Sequence, residues 1–321
     1  MRGALALIFA ALPWAALAAN VDAWPSRPIR IVAPFPAGSA VDATLRTLQP
    51  HAAERLGQAI VIDNRSGASG AIGVEVVQRA SPDGYTMLLG TASTHALVKV
   101  LNPRASYDPQ RDFLPITLVG SFPYALSVHP GVRASTLKEL IELARAKPGE
   151  IRYTSAGNAS LAHLAGELLS GMANVKLTHV PYKSSAASVI DVVAGRVELQ
   201  IGSTTPAIPH IRAGRLRALA TTGAARIPAL PDVPTVKEQG FPGYEVALWM
   251  GLFVPAGTPS AVVDRANREF VAVLKKPEVH DALVAQGVDP QPTTRAGLAA
   301  HIAAEIAKWD RVVKTSGIKT D

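Results

Sequence analysis

Small hydroxylic and amide residues recur in this chain where an apolar strand-like run gives way to a helical one. That arrangement suits the holding of an anion. In the clearest case, Ile151 to Ser155 has the pattern of a short strand, and Ala156-Gly157-Asn158-Ala159-Ser160 follows. Leu161, Leu164, Ala165, Leu168, Leu169 and Met172 then repeat at helical spacing. The first N–H groups of a helix have no partner inside it, and the helix dipole favours negative charge there. Small loop residues let an anion approach those groups. Ser160 or Asn158 could cap the helix or could reach a ligand. An ordinary strand-to-helix connection reads the same way, so both readings stand on this stretch alone.

The device occurs a second time. Ile29 to Pro34 is an apolar strand, Phe35-Pro36-Ala37-Gly38-Ser39-Ala40 is a loop, and a helix is expected from Val41 to Leu56. Asp42 falls in the first turn, where a carboxylate complements the dipole and has either a structural or a binding role. About 120 residues separate the loops in sequence, as expected if each belonged to a different lobe and the two clamped one ligand. Further strand ends carry similar residues: Ser69 after Ile60–Ile62, Ser93 after Tyr85–Gly90, Tyr182-Lys183 after Thr178–Val180, and Ser203-Thr204 after Val197–Ile201. In open α/β sheets, ligands bind beyond the carboxyl ends of the strands. His163, near the start of its helix, is a candidate contact, against the ordinary alternative of a satisfied helix histidine.

Patterns for other chemistry are absent. The chain has no G-x-G-x-x-G, Walker loop or G-x-S-x-G elbow. None of its eight histidines forms an H-x-x-x-H pair, and it has no cysteine. No cofactor, metal site or catalytic residue is therefore expected. A triad assembled from distant positions is the form of catalysis these absences leave open.

The elements that must position these loops alternate strand and helix, which predicts an α/β fold. Ile72–Ala80 and Thr136–Ala146 are helical, Ile116–Val128 is a strand crossing between lobes, and helices run through Val189–Val193 and Ala207–Ala213. Leu216–Thr221 is a strand, Val246–Phe253 is the returning crossing, and helices near Ser260–Lys275, Pro277–Gln286 and Thr294–Thr315 pack on the first lobe. Residues 19–120 and 250–321 then make lobe 1, and residues 121–249 make lobe 2. Residues 1–18 read as a cleavable signal peptide: Arg2, an apolar run from Ala4 to Leu12, and small residues at Ala16-Leu17-Ala18, with cleavage after Ala18 or Ala19. The apolar run is too short to anchor in a bilayer, and the periplasm is the expected location. A formal charge of +7 favours an anionic ligand. Nucleic acid is not expected, because the basic residues are scattered and aromatics are only 5%.

Taken together, IRIVAPFPAGSAVD (29–42), NRSGASGAIG (64–73), PDGYTML (82–88), the stretch 153–168, VPYK (180–183), PHIRAGRLRALAT (209–221), 231–243 and 251–259 stand in the order of a known family. The chain resembles, over essentially its whole mature length, the periplasmic receptors of tripartite tricarboxylate transporters, also called Bug proteins. The resemblance implies a two-lobed periplasmic-binding-protein fold with two interlobe crossing segments. It implies closure on a small carboxylate held by backbone N–H groups, and membrane permease subunits as partners. A sensor kinase is a further partner the resemblance allows, and a monomer is expected. The chain departs from the family pattern at Ser184 and Ser185, where two glycines are common, at Ser39 in the first glycine pair, and at Gly202, where an aspartate is common. Changed hydroxyls and a missing carboxylate alter which polar groups need partners, and so bear on ligand class. The alternatives are an enzyme, a hydrolase or isomerase, on a similar scaffold, and a sensory co-receptor.

Overall fold

The computed structural model describes residues 24–316 apart from positions 103, 159 and 224. The expected signal peptide, and Ala159 among the candidate site residues, lie outside the described residues. The first half of the fold begins with β1 (Ile29–Ala33), α1 (Ala40–Leu56), β2 (Ile60–Asn64), α2 (Ala71–Gln78) and β3 (Thr86–Thr91). Beyond β3 the structure departs from a plain strand end: a π-helical turn, Ser93–Leu97, runs into the short α3 (Val98–Leu101). β1 lies between β2 and β3, parallel to both.

β4 (Phe113–Val128) is the spine of the molecule. Its residues Phe113 to Pro123 pair antiparallel with β9 (Ala247–Pro255), and Tyr124 to Val128 pair with β7 (Leu199–Ser203). The change of partner falls at Pro123, which has no N–H to give to a ladder. Gly120 is required where it stands: the carbonyl of Asp289, in the two-residue β10 (Asp289–Pro290), comes within 2.5 Å of where a Cβ would be. β9 also pairs with β3, so it is inserted between two strands that are neighbours in sequence.

The second half repeats the scheme. α4 (Leu137–Ala146) leads to β5 (Arg152–Ser155), α5 (Leu161–Ala173), β6 (Thr178–Pro181), α6 (Ser185–Val193), β7, α7 (Thr204–Arg212) and β8 (Arg217–Thr221). β5 is parallel to β6 and β7, and β8 pairs with the far side of β4. The sheet order is therefore β2-β1-β3-β9-β4-β7-β5-β6, two parallel α/β halves joined through antiparallel strands.

α8 (Ser260–Leu274), α9 (Pro277–Ala285) and α10 (Arg295–Ser316) close the chain. α8 and α9 pack on α1, as expected, and α10 lies over β4 but also reaches α5 in the other half. The indoles of Trp249 in β9 and Trp309 in α10 both donate to Glu305 Oε2, at 3.2 and 3.1 Å, which fastens α10 to the returning strand. Among the described residues no helix is long and apolar enough to cross a membrane.

Candidate functional site

Four helices of eight residues or more start at one cleft between the halves. α1, α5, α6 and α7 each begin just beyond the carboxyl end of a strand, and each has a serine in the capping position: Ser39, Ser160, Ser184 and Ser203. Three of these caps are made. Ser39 Oγ accepts from Asp42 N, Ser160 Oγ from His163 N and Ser184 Oγ from Ala187 N, each taking the N–H of the third helical residue. The N–H groups of the first two residues are left without a helical acceptor. In α1 these residues are Ala40 and Val41, and in α6 they are Ser185 and Ala186, and all four line the cleft.

The cleft holds ≈ 520 Å³ of atom-free space, counting its solvent-open part. Phe35, Ser39 and Ser93 face it from the first half, and Ala156, Ser160, Ser184, Ser185, Ser203 and Pro206 from the second. Phe122 and Tyr124 of β4 and Leu248 of β9 complete the lining. Among the described residues no charged side chain lines it. Burial holds the Tyr124 phenol well above its ordinary pKa, so it remains protonated and can donate. The lining thus presents unpaired N–H groups, hydroxyls and the positive ends of helix dipoles beside an apolar wall. That combination holds a carboxylate without a cationic side chain.

Ser203 differs from the other three caps. It stands at the N-cap of α7 but makes no side-chain cap bond, and its Oγ is buried without a hydrogen-bond partner among the described residues. Its hydroxyl is therefore available to whatever fills the cleft.

Of the residues expected from sequence, Phe35, Ser39, Ser93, Ser160 and Ser203 are brought to the cleft. Ala37, Gly38, Asp42, Ser69, Gly157, Asn158, His163, Tyr182, Lys183 and Thr204 are not in its lining. Several of these have visible tasks elsewhere. Gly38 has φ +78°, a left-handed backbone conformation that favours glycine whatever space surrounds it. Its N–H donates to Asp42 Oδ2 at 2.9 Å.

The Asp42 carboxylate, 2% exposed, also accepts from Arg46 Nε and from Asn64 Nδ2, which in turn donates to the Phe35 carbonyl. Burial alone would raise its pKa. The hydrogen bonds from Arg46, Gly38 and Asn64 hold it below the ordinary aspartate value. Asp42 is thus the anchor of the first loop.

The second loop is held from behind. Ser155 Oγ exchanges hydrogen bonds with the backbone of Gly157 and contacts His179 Nε2 at 2.6 Å. The His179 ring stacks on His163 with centroids 3.9 Å apart, and burial pushes the His179 pKa down to about 4. Tyr182 Oη donates to Asp191 Oδ2 at 2.7 Å. Ser69 Oγ donates to the Asn158 carbonyl at 3.1 Å, and Thr205 Oγ1 to the Gln286 carbonyl at 2.8 Å, so side chains tie the two halves directly.

Sequence reasoning missed the lining residues Ala40, Val41, Phe122, Tyr124, Ala156, Ser184, Ser185, Ala186, Pro206 and Leu248. Ser184 and Ser185 stood out as departures from a family pattern, and that was the available signal. Phe122, Tyr124 and Leu248 lie where the crossing strands pass the cleft, and strand periodicity carries no mark of it.

Two α/β halves bridged by antiparallel strands, with helix N-termini converging on the cleft between them, define a periplasmic solute-binding protein. Residues 44–318 match the model of the tripartite tricarboxylate transporter family receptor. The protein of the tcbD-tcbE intergenic region of Pseudomonas sp. (strain P51) is 41% identical over 298 residues, covering 92% of this chain and 88% of that one. BugT of Bordetella pertussis is 34% identical over 97% of this chain and 96% of its own. The structure of Rpa4515 from R. palustris with adipate superposes with a TM-score of 0.88 at 38% identity, covering 92% of this chain and 99% of that one. The chain belongs to the tripartite tricarboxylate transporter receptor family, the Bug proteins.

Proposed function

We propose that this protein is a periplasmic receptor that closes on a small carboxylate and hands it to the membrane subunits of a tripartite transporter. The observation that carries the reading is the convergence of the first residues of α1 and α6, Ala40, Val41, Ser185 and Ala186, whose N–H groups have no helical acceptor, on a cleft lined, among the described residues, by no charged side chain. Phe35, Phe122 and Leu248 suit an apolar stem beside the carboxylate. A relative of the same fold at 38% identity carries adipate, which supports the same ligand class here.

The lobes in this reading are residues up to Pro123 together with those from Ala247 onward, and Tyr124 to Val246. β4 changes partner at the first junction, and β9 begins at the second. Closure is a rotation about these two strands. A receptor binds saturably and returns its ligand unchanged, whereas an enzyme on this scaffold would turn it over.

Calorimetric titration with C3–C6 mono- and dicarboxylates, with neutral sugars as controls, tests the ligand class. Saturable binding of a carboxylate with no turnover is the expected result. Binding of sugars and of no carboxylate would overturn it. Capture of permease subunits from solubilised membranes by the liganded protein, and not by the ligand-free protein, tests the partner.

A further inference from the structure

A row of polar side chains crosses the second half under α6 and α7. Ser127 of β4 is the register partner of Gln200 of β7, and Gln200 is the partner of Thr154 of β5, so the three stand side by side on one face of the sheet. All three are 0% exposed. Ser127 Oγ, Thr154 Oγ1 and both ends of the Gln200 amide have no hydrogen-bond partner among the described residues. Buried amides with both ends unpaired are uncommon in folded proteins, because each unpaired group keeps its desolvation cost. The assignment of nitrogen and oxygen in the amide does not matter to this count, since neither atom is paired.

The amide has a direction. Two residues beyond Gln200, on the same face and nearer the strand's carboxyl end, stands Gly202. A Cβ placed there would lie 3.2 Å from Gln200 Nε2 and 3.0 Å from Ser185 Oγ. Gln200 is therefore turned along the strand toward the end where the cleft lies. Ser185 borders the space over Gly202 and also lines the cleft. Ala125, the register partner of Gly202, carries only a methyl group, so the way past Gly202 is flanked by small residues, with Ser185 Oγ, which accepts from Ser203 N, above it. Apolar packing under α6 and α7 is correspondingly thin, and Val189, Val192, Val197, Ala207 and Leu216 form a small core separate from the main one.

We propose that Gln200 reads the ligand: reached past Gly202 and Ser185, its amide hydrogen-bonds an uncharged oxygen, hydroxyl or keto, carried on the chain of the carboxylate. This rests on the carboxylate reading of the cleft and narrows it. The preferred ligand is an oxygenated carboxylate over its plain counterpart. Gln200 is a specificity-determining residue, while the carboxylate itself is held by the helix N-termini. A neutral amide suits this task because it serves as donor or acceptor and asks no second charge of the ligand.

The test uses three proteins, wild type, Gln200→Leu and Gly202→Ala, and three probe pairs: succinate and malate, glutarate and 2-hydroxyglutarate, adipate and 3-hydroxyadipate. Titration calorimetry gives the affinity ratio within each pair, and urea denaturation of the ligand-free proteins gives the unfolding midpoint. Wild type should prefer the hydroxylated member of at least one pair. Gln200→Leu should weaken that member on the order of tenfold and leave the plain one unchanged. The midpoint of Gln200→Leu should hold or rise, because two unpaired buried atoms are removed. Gly202→Ala, which fills the path and keeps the amide, should lose the preference in the same direction. A lowered midpoint in Gln200→Leu with an unchanged ratio would make the row a hydrated structural layer and overturn the proposal. Wild-type binding without preference in any pair sinks this proposal alone. Absence of carboxylate binding to the wild type sinks the cleft reading and this proposal with it.

Discussion

Replacing Ser203 by alanine should separate binding from folding in a way that replacing Ser184 does not. Both serines are N-caps lining the cleft, but only Ser184 makes its cap, to Ala187 N at 3.2 Å. Ser184→Ala should therefore lower unfolding free energy by about 1 kcal/mol. Ser203 Oγ is buried and unpaired, so its removal forfeits no internal hydrogen bond. Ser203→Ala should leave stability unchanged or raise it by up to about 1 kcal/mol, since an unsatisfied buried group disappears. In the complex, a hydroxyl donating to a carboxylate contributes roughly 1.5–3 kcal/mol, so affinity should fall about 10- to 150-fold. Urea denaturation of the ligand-free proteins and calorimetric titration with the tightest carboxylate found for the wild type give the two numbers. If Ser203→Ala destabilises the fold as much as Ser184→Ala while affinity is intact, Ser203 is a cap in solution and the reasoning fails.

Three other outcomes are expected. Asp42→Ala should cost about 2–3 kcal/mol, because Gly38 N–H and Asn64 lose a charged acceptor in a buried site; a change under 0.5 kcal/mol in urea denaturation would contradict the anchoring role. Gly120→Ala should destabilise by about 1–3 kcal/mol, since the new methyl meets the Asp289 carbonyl, and a wild-type midpoint would show that β10 yields without cost. Stability should fall on acidification: His95 and His179 have pKa values pushed down to about 3 and about 4 in the folded protein, first by burial, while the unfolded chain titrates near 6.5. Their contribution is complete above about pH 6.5 and is lost as pH falls toward those folded values, at up to about 1.4 kcal/mol per pH unit for each. His179→Gln should flatten the profile by one group's share, and a profile unchanged in that variant would remove His179 from the account.

Much of the framework was legible because local chemistry marks it. Apolar spacing located α1, α4, α5 and the three closing helices, and Ser39, Thr136 and Ser160 stand at their caps as their residue types suggest. The start of α7 was read at Ala207, whereas the helix begins at Thr204, because Pro206 looks like a break but is tolerated in a first turn. The π-helical turn at Ser93 has no sequence signature to read. The placement of β9 between β3 and β4 rests on partners more than 120 residues apart, which no local pattern encodes. The site was legible only in part for a related reason. Spacing identifies a serine before a helix, but Ser39, Ser184 and Ser203 look alike until the direction of each hydroxyl is seen. The opposite holds for Asp42 and Gly38: position marks them as important, and only the hydrogen bonds show that they brace the loop.

The insertion of β9 also constrains how the chain can come together. A chain emerging amino end first has β1, β2, β3 and the first part of β4 in hand early, yet β3 and β4 do not pair with each other. Each waits for a strand that arrives only at residue 247, after the whole of the second half has been made. Until then both edges that β9 will occupy are open, and edges of that kind invite pairing with other chains. The second half, whose strands β5 to β8 lie within seventy or so residues of one another, has no such delay. Assembly should therefore run from the middle of the chain outward, with the first half completed last and dependent on the carboxyl-terminal third for its central strand.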